Sequence, residues 1–282
     1  MHFGLTMFPA DFAIRVDELA REAEARGFES LWLPEHTHIP VSRRSPWPGG
    51  PKLPKEYWHT HDLFIALATV AAVTRQLKVC SGICLLVQRD PIVTAKEVAS
   101  LDALSNGRVV FGIGGGWNAE EMENHGTNFK TRWKRLRECV EAMKNIWAED
   151  ESEYHGELVN FDKLWSWPKP VQKPHPPIFL GGHTPQALER VVRYCDGWLP
   201  IPVRAGDLAA RIKDLHRRAE QAGRDPRSIA IATYGSPADE VVIEQYRAIG
   251  VDHYIFGVPP ANRETVLPLL DRYAELMRKA QR

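Results

Sequence analysis

A carboxylate and an imidazole, Glu35 and His36, follow directly after the apolar run at residues 30–34. Adjacent side chains at the end of a strand point to opposite sides. Histidine is the side chain best suited to proton transfer near neutral pH. We therefore predict that His36 is a catalytic residue, while the simpler interpretation is a surface histidine bonded to solvent.

The segment at residues 107–118 combines an apolar run with closely spaced glycines at its end. An apolar run without polar alternation is typical of a strand buried on both faces, as in parallel sheets. Glycines remove side chains where another group must approach the backbone, and in an α/β barrel this end of a strand faces the ligand. We therefore expect Gly115, Gly116 and Asn118 at a binding site, with Trp117 beside them.

Two further strand ends carry candidate chemistry. Ser81 and Gly82 indicate a bulge or an unusual peptide conformation, or else a plain glycine that makes room for a neighbour. The residues from Gly181 to Thr184 lead straight into a predicted helix. Backbone amides at a helix N-terminus bind anions, so this loop is a candidate phosphate site. The simpler interpretation is a helix cap by Thr184.

The composition argues against several classes of partner. The 282 residues contain 36 Lys and Arg and 36 Asp and Glu, so no excess of charge points to nucleic acid or to an anionic membrane surface. The sequence shows no secretory signal and no apolar run of membrane-spanning length. Four cysteines among apolar neighbours, without a Cys-x-x-Cys pair, favour a reduced cytoplasmic protein with no structural zinc site.

The elements that must position these residues alternate along the chain. Apolar runs predict eight strands, seven of them at residues 2–7, 30–34, 77–86, 177–181, 197–201, 229–233 and 253–258, and the fourth in the apolar run that follows Gly107. Helical patterns fill the intervals, with starts predicted at Asp62, Asp90, Thr184, Asp207 and Asn262. Eight strand–helix units predict a single (β/α)8 TIM barrel domain over residues 1–282. An open doubly wound sheet is the alternative, but it would put a glycine-rich turn after the first strand, and residues 7–10 contain no glycine.

Three segments interrupt this alternation. Residues 37–60 follow strand two and residues 117–129 follow strand four, so both should lie on the catalytic face, where they could roof a pocket. We assign Trp47, Trp58 and Trp117 to this substrate pocket. Residues 150–176 precede strand five, and we expect a surface excursion whose tryptophans pack on the barrel wall.

The histidine pairs His36/His38 and His59/His61 raise a different class of function. Metal-dependent hydrolases built on barrels place such a pair at a strand end, and the pattern resembles the amidohydrolases. Here the pair follows strand two rather than strand one, strand six offers no histidine, and strand eight lacks the expected aspartate. We therefore predict no metal site. A metal-dependent hydrolase and a non-enzymatic binding barrel remain as alternatives.

Taken together, the strand ends resemble the bacterial luciferase-like superfamily of flavin and deazaflavin enzymes. The resemblance runs from His2 to about Leu276, and its motifs are specific in their order and spacing. They are GFESLWLPEH at residues 27–36, LSNGRVVFGIG at 104–114 with GWN at 116–118, PIFLGG at 177–182 and DGW at 196–198. Within the superfamily the chain looks most like the branch that uses the deazaflavin coenzyme F420.

This resemblance implies a cofactor site at the strand ends. In similar enzymes the acid at the position of Glu35 contacts the deazaflavin, and the histidine at the position of His36 acts in proton or hydride chemistry. Relatives hold a non-proline cis peptide against the ring in the strand-three segment, and their strand-five loop holds the phosphate. The cofactor-binding residues so predicted are Glu35, Ser81, Gly82, Ile83, Cys84, Gly115, Gly116, Asn118, Gly181, Gly182, His183 and Thr184.

The chain departs at one position from the sugar-phosphate dehydrogenases of this branch. They carry a catalytic glutamate after the strand-four glycines, where this chain has Trp117. An indole cannot act as a general base, so we predict a pocket with an aromatic wall and an apolar or aromatic substrate. Glu120 and Glu121 lie nearby, but we expect the helix after Asn118 to expose them.

The resemblance thus predicts an F420-dependent oxidoreductase that transfers a hydride to or from an organic substrate, and it implies a homodimer. The alternative within the superfamily is a monooxygenase that uses reduced FMN and oxygen, because both cofactors carry a tricyclic ring and a phosphate. F420 also has an anionic tail. Arg43, Arg44, Lys52 and Lys55 could meet this tail, or they could form a solvated loop.

Overall fold

The computed structural model describes residues 1–281 of the chain. Its strands are β1 (His2–Thr6), β2 (Ser30–Leu33), β3 (Lys78–Cys84), β4 (Val109–Ile113), β5 (Ser152–His155), β6 (Asn160–Leu164), β7 (Ile178–Gly181), β8 (Gly197–Leu199), β9 (Ala230–Ser236) and β10 (His253–Gly257). Its helices are α1 (Val16–Ala25), α2 (Glu56–His59), α3 (Leu63–Val73), α4 (Pro91–Leu104), α5 (Ala119–Asn124), α6 (Arg132–Ala148), α7 (Pro185–Tyr194), α8 (Pro202–Ala205), α9 (Leu208–Gln221), α10 (Glu240–Ala248) and α11 (Arg263–Ala280).

Eight of the strands close into a barrel in the order β1-β10-β9-β8-β7-β4-β3-β2, and neighbouring strands run parallel. Leu5 of β1, for example, lies opposite Phe256 of β10 on one side and Leu31 of β2 on the other. Each predicted barrel strand is present, with ends within a few residues of the prediction. The closed sheet confirms the (β/α)8 TIM barrel and rules out the open sheet.

The inside of the barrel is filled by large side chains that interlock with glycines. Trp32 and Phe179 meet edge to face there, with ring centroids 5.8 Å apart. A Cβ on Gly197 would overlap the Phe179 ring, and a Cβ on Gly82 would overlap Tyr234. The barrel is therefore a packed core rather than a pore, and a ligand can approach only at the strand ends.

Five helices begin at the capping residues that predicted them, whereas α1 begins at Val16 without a side-chain cap. Each of these caps accepts a hydrogen bond from the backbone N–H three residues on, which contributes about 1 kcal/mol to helix stability. The capping residues are Asp62, Asp90, Thr184, Asp207 and Asn262. Because each cap follows a strand or the segment after it, the caps fix the helix N-termini on the same end of the barrel as the strand C-termini.

The insertions form a roof over the barrel and a separate hairpin. The roof (residues 37–60) contains α2 and follows β2, and the segment after β4 contains α5. Residues 150–176 form the β5–β6 hairpin, which the sequence pattern did not predict. Its Trp165 and Trp167 are 77% and 57% exposed, so the prediction that they pack on the barrel wall is wrong. Trp167 instead makes a cation–π contact with Lys169, 5.1 Å from its ring centroid.

The four cysteines are free and buried. Burial raises the pKa of Cys139 to about 12, so this thiol stays protonated at neutral pH and packs as a small apolar side chain. A helix with the length and apolarity needed to cross a membrane does not occur among residues 1–281.

Candidate functional site

The centre of the candidate active site is a buried pair, His36 and Glu121. The two carboxylate oxygens of Glu121 lie 3.0 and 2.9 Å from Nδ1 of His36. Both residues are buried, His36 to 7% exposure and Glu121 completely. Because a carboxylate only accepts hydrogen bonds, the imidazole proton must reside on Nδ1. Nε2 makes no hydrogen bond within residues 1–281, so it is the ring atom left to meet a ligand.

The burial of Glu121 overturns the prediction that α5 exposes its acidic residues. Asn118 does cap α5, since its Oδ1 accepts the Glu121 N–H at 3.2 Å. The roof closes over this first turn, where the Ser45 N–H donates to Glu120 at 2.9 Å, and the two glutamates are only 7% and 0% exposed. The Asn-x-x-Glu spacing signals a helix start. It carries no information about a partner histidine 85 residues away.

Glu35 braces the loop after β3. Its carboxylate accepts the Leu85 N–H at 2.6 Å and the Arg89 Nε–H at 2.7 Å, and Nη2 of Arg89 lies 2.5 Å from the second of these oxygens. Arg89 also binds Glu97 at 3.0 Å. Since both oxygens of Glu35 are engaged within the protein, the geometry favours a bracing role over the predicted contact with the cofactor.

The end of β3 forms a platform at the top of the barrel. The Gly82–Ile83 peptide bond is cis, as the resemblance implied, and the β3–β4 register shifts there. Ser81 donates its hydroxyl to the Gly112 carbonyl at 2.8 Å, and Cys84 is fully buried. Their side chains are therefore not available to a ligand, whereas Ile83 is only partly buried and presents the apolar surface of the platform.

The glycines at the end of β4 make room for groups of the protein itself. A Cβ at any of these positions would meet a neighbour at closer than ordinary contact distance. The close glycine spacing is thus explained by internal packing, which the sequence pattern could not distinguish from a ligand contact. The groups that occupy the space are the Ser81 carbonyl at Gly112, Ile83 at Gly114, Trp133 at Gly115 and Met122 at Gly116.

The β7–α7 loop (residues 181–184) has the properties of an anion site. Thr184 caps α7 and accepts a backbone N–H at 3.2 Å, and Gly182 has a φ of 142°, which favours glycine. Burial lowers the pKa of His183, and the positive charges of Arg204 and Arg211 lower it further. Two guanidinium groups therefore reinforce the positive end of the helix dipole. The sequence of the β7–α7 loop does not indicate these two arginines, because they lie in α8 and α9.

Aromatic rings cover His36 on the side of the roof. Tyr57 is the centre of this cluster, with ring centroids 5.1 Å from His36, 5.8 Å from Trp47 and 6.4 Å from Trp117. Trp117 itself lies 6.1 Å from His36. The predicted aromatic wall is therefore present. Trp58 is 50% exposed and lies outside the cluster. Its neighbour Tyr57, rather than Trp58, therefore contributes to the aromatic wall.

The other histidines of the roof bind separate partners. His38 contacts Asn124 at 2.8 Å, and His59 contacts Asp11 at 3.0 Å. Over the described residues 1–281, no three His, Cys, Asp or Glu side chains converge in a way that could hold a metal ion. The donor set of a metal-dependent hydrolase does not assemble there.

The mouth of the barrel fits a planar cofactor that carries a phosphate. A Cβ on Gly181 would lie 3.1 Å from Ile83, so this glycine leaves the platform uncovered on the side of the anion site. The Nδ2 atom of Asn118 is buried and has no hydrogen-bond partner within residues 1–281. A buried donor of this kind calls for an acceptor, which a ligand bound at the end of β4 would supply.

Comparison with known proteins supplies the family. The family described as luciferase-like monooxygenase matches residues 12–282 of the chain. An uncharacterized protein of Mycobacterium tuberculosis (strain ATCC 25618 / H37Rv) is 37% identical over 278 residues, which cover 97% of this chain and 98% of the relative.

Two solved structures share the fold. The monooxygenase RslO1 from Streptomyces bottropensis superposes with a TM-score of 0.82 at 20% identity and covers 100% of both chains. An F420-dependent secondary alcohol dehydrogenase in complex with an F420-acetone adduct gives a TM-score of 0.77 at 18% identity, again over 100% of both chains. At these identities the likeness shows the fold alone. The family match, by contrast, spans nearly the whole sequence, and the chain therefore belongs to the luciferase-like monooxygenase family.

Proposed function

We propose that this protein is an F420-dependent oxidoreductase that transfers a hydride between the deazaflavin and a small organic substrate. The observation that carries the proposal is the buried His36–Glu121 pair at the barrel mouth, with Nε2 of the imidazole free of protein partners. Hydride transfer to a carbonyl leaves an alkoxide that needs a proton, and the reverse reaction must remove one. A histidine in this setting meets that need in both directions.

The deazaflavin supplies the hydride donor or acceptor, and the residues of the chain supply orientation and the proton. Glu121 holds a proton on Nδ1 of His36 and so directs Nε2 toward the substrate oxygen. In the reducing direction, charged His36 donates its Nε2 proton to that oxygen. In the oxidising direction, neutral His36 accepts the hydroxyl proton at Nε2. The Glu121 carboxylate stabilises the imidazolium in both cases, since hydrogen bonds between charged groups are the strongest ones.

The remaining contacts define the pocket. Ile83 would support one face of the cofactor ring, and the β7–α7 loop would bind its phosphate. Tyr57, Trp47 and Trp117 close the side of the roof and exclude water from the reacting atoms. Such a wall favours an apolar or aromatic substrate.

A luciferase-like monooxygenase that uses reduced FMN and oxygen is the alternative, and the fold occurs in enzymes of both kinds. The positive charge around the mouth favours F420, whose tail is anionic beyond the phosphate. Arg204 and Arg211 face His183, and the guanidinium carbon of Arg43 lies 5.9 Å from the Trp117 ring centroid. A single phosphate would neutralise only part of this charge.

Replacing His36 by alanine tests the catalytic assignment. We expect turnover to fall by about 10²–10⁴-fold, the usual contribution of a general acid or base, while the affinity for the cofactor is kept. Turnover is followed as the loss of deazaflavin absorbance with a panel of secondary alcohols, and His38→Ala is the matched control. Unchanged turnover in His36→Ala would remove the role.

We also propose a homodimer formed through α3 and α4. The helix α3 contains no charged residue, and Ile65, Ala68 and Ala72 are exposed along its outer face. On the adjacent α4, Val93 and Leu104 are 55% and 83% exposed. A helix that is apolar all round is normally buried, and exposed apolar side chains on two adjacent helices are typical of an interface. A second copy of the same face would cover it.

Light scattering on the purified protein tests the dimer. We expect the mass of two chains for the wild type and of one chain for Ile65→Asp, because a charge in an apolar interface costs more than the contact provides. Val241→Asp, an exposed valine on α10, is the control and should leave the dimer intact. A monomeric wild type at micromolar concentration would contradict the proposal.

We further propose that the enzyme resides in the cytoplasm, in keeping with four free and buried thiols.

A further inference from the structure

A groove between α6 and α7 runs away from the barrel mouth. It encloses about 340 Å³. Trp133 and Arg137 of α6 line one side, and Arg190, Arg193 and Tyr194 of α7 line the other. None of these residues belongs to the pocket around His36.

The groove carries positive charge that the described part of the chain does not neutralise. Arg190 and Arg193 form no ion pair within residues 1–281. Glu189 also lines the groove, but its carboxylate is bound to Arg218 at 2.8 Å. The guanidinium carbon of Arg190 lies instead 4.1 Å from the Trp133 ring centroid.

Arg132 adds a further positive charge beside Arg190. Arg132 also contacts the Trp133 ring, at 5.3 Å, and its Nε is buried with no hydrogen-bond partner in the described residues. Burial lowers the pKa of Arg132, and the charge of Arg190 lowers it further. Two like charges on one indole repel each other, and an anion bound beside them would reduce this repulsion.

The hydroxyl of Tyr194 is an independent sign of a ligand. Tyr194 is 7% exposed, and its hydroxyl is buried without a hydrogen-bond partner within residues 1–281. Arg137, Arg190 and Arg193 line the same groove as this tyrosine. A buried hydroxyl without a partner is costly, and a carboxylate in the groove would accept its hydrogen bond.

The upper end of the groove joins the cofactor site. The Trp133 ring lies 2.9 Å from the position of a Cβ on Gly115, at the end of β4. Gln186, the second residue of α7, also lines the groove and follows the β7–α7 loop directly. From Gln186 to Arg193 the helix rises by about 10 Å. The groove therefore leads from the phosphate site down the outside of the barrel.

We propose that this groove binds the anionic tail of the cofactor, a chain of carboxylates that continues from the phosphate at the β7–α7 loop. The inference rests on the proposed F420-dependent function. Arginine pairs with carboxylates through two parallel hydrogen bonds, and the spacing of Arg190 and Arg193 along one helix face suits successive carboxylates of such a chain. FMN ends at its phosphate and does not reach the groove.

The test compares two deazaflavins with the same ring, one with the full oligoglutamyl tail and one that ends at its phosphate. Both are titrated into the wild-type protein, the double variant R190A/R193A and the variant Tyr194→Phe. Arg227→Ala serves as the control, because Arg227 is exposed and forms its ion pair with Asp225, far from the groove residues in sequence.

We expect wild type to bind the tailed deazaflavin more tightly, with an advantage that shrinks as salt is added. R190A/R193A should lose about tenfold or more in affinity for the tailed form, as expected for the loss of a charge-assisted hydrogen bond. Its affinity for the phosphate-terminated form should be unchanged. Tyr194→Phe should show a smaller loss of the same selectivity without altering charge.

The two ways of failing are distinct. If wild type binds both deazaflavins equally, or if R190A/R193A weakens both equally, the tail site is overturned and the F420-dependent function stands. If neither deazaflavin binds to the wild type, the proposed function fails and the tail site fails with it.

Discussion

Replacing Arg89 by methionine should be among the most damaging single changes near the active site, because it leaves a carboxylate buried without its cation. The Glu35 side chain is 3% exposed and the Arg89 side chain 13%. Without the guanidinium, Glu35 would keep one protein donor, the Leu85 N–H at 2.6 Å. Methionine retains most of the arginine stem but removes the guanidinium group, whose carbon lies 4.7 Å from the Phe64 ring centroid, so the loss is mainly electrostatic.

Removing one partner of a buried ion pair costs about 3–5 kcal/mol. At about 2–4 °C per kcal/mol for a chain of this size, Tm should fall on the order of 10 °C. The variant Arg89→Met/Glu35→Gln should recover about half of that loss or more, because glutamine can still accept the Leu85 N–H without burying a charge. Thermal and urea unfolding of the wild type, the two single variants and the double variant gives the coupling energy directly.

Strictly additive effects would refute this reasoning. If Arg89→Met destabilises the Glu35→Gln protein as much as it destabilises the wild type, the buried pair has no coupling energy, and Glu35 does not depend on Arg89 for its charge.

Two further predictions concern packing and pH. Gly112→Ala should destabilise far more than Gly114→Ala, because the new methyl group meets the Ser81 backbone carbonyl in the first case and the movable tip of Ile83 in the second; overpacking costs about 1–3 kcal/mol, and equal Tm losses would contradict the assignment. Burial lowers the pKa of His253 from 6.5 to about 3. Between pH 6.5 and pH 4 this histidine is therefore protonated in the unfolded chain but neutral in the folded chain, and the free energy of unfolding should fall by about 2–3 kcal/mol over that range. His253→Phe should flatten that part of the stability–pH curve, and an unchanged slope would show that other groups cause it.

The fold could be predicted from the sequence because the barrel is encoded locally. Each barrel strand is a short apolar run such as residues 109–113, and several helix starts, such as Asp90 before α4, carry a capping residue that makes the expected hydrogen bond. The β5–β6 hairpin escaped prediction because its strands are largely exposed, as in Glu153 and Asn160, and show no apolar run.

The site could be predicted only where single segments carry it. His36, the cis peptide at Gly82 and the β7–α7 loop each lie within one strand end. Glu121 and Tyr57 act through partners that are distant in sequence, because α5 and the roof fold back over the mouth. The glycines of β4 show the opposite error, since their spacing indicates a close approach without telling whether the approaching group is a ligand or the protein's own side chain.

The most direct test of the central claim is a parallel equilibrium titration of the purified protein with F420 and with FMN. An F420-dependent oxidoreductase should bind F420 at least about tenfold more tightly than FMN, since the positive charges in the α6–α7 groove would contribute only to the cofactor with the longer anionic chain. Tight binding of FMN with none of F420 would contradict the account and favour the FMN-dependent monooxygenase.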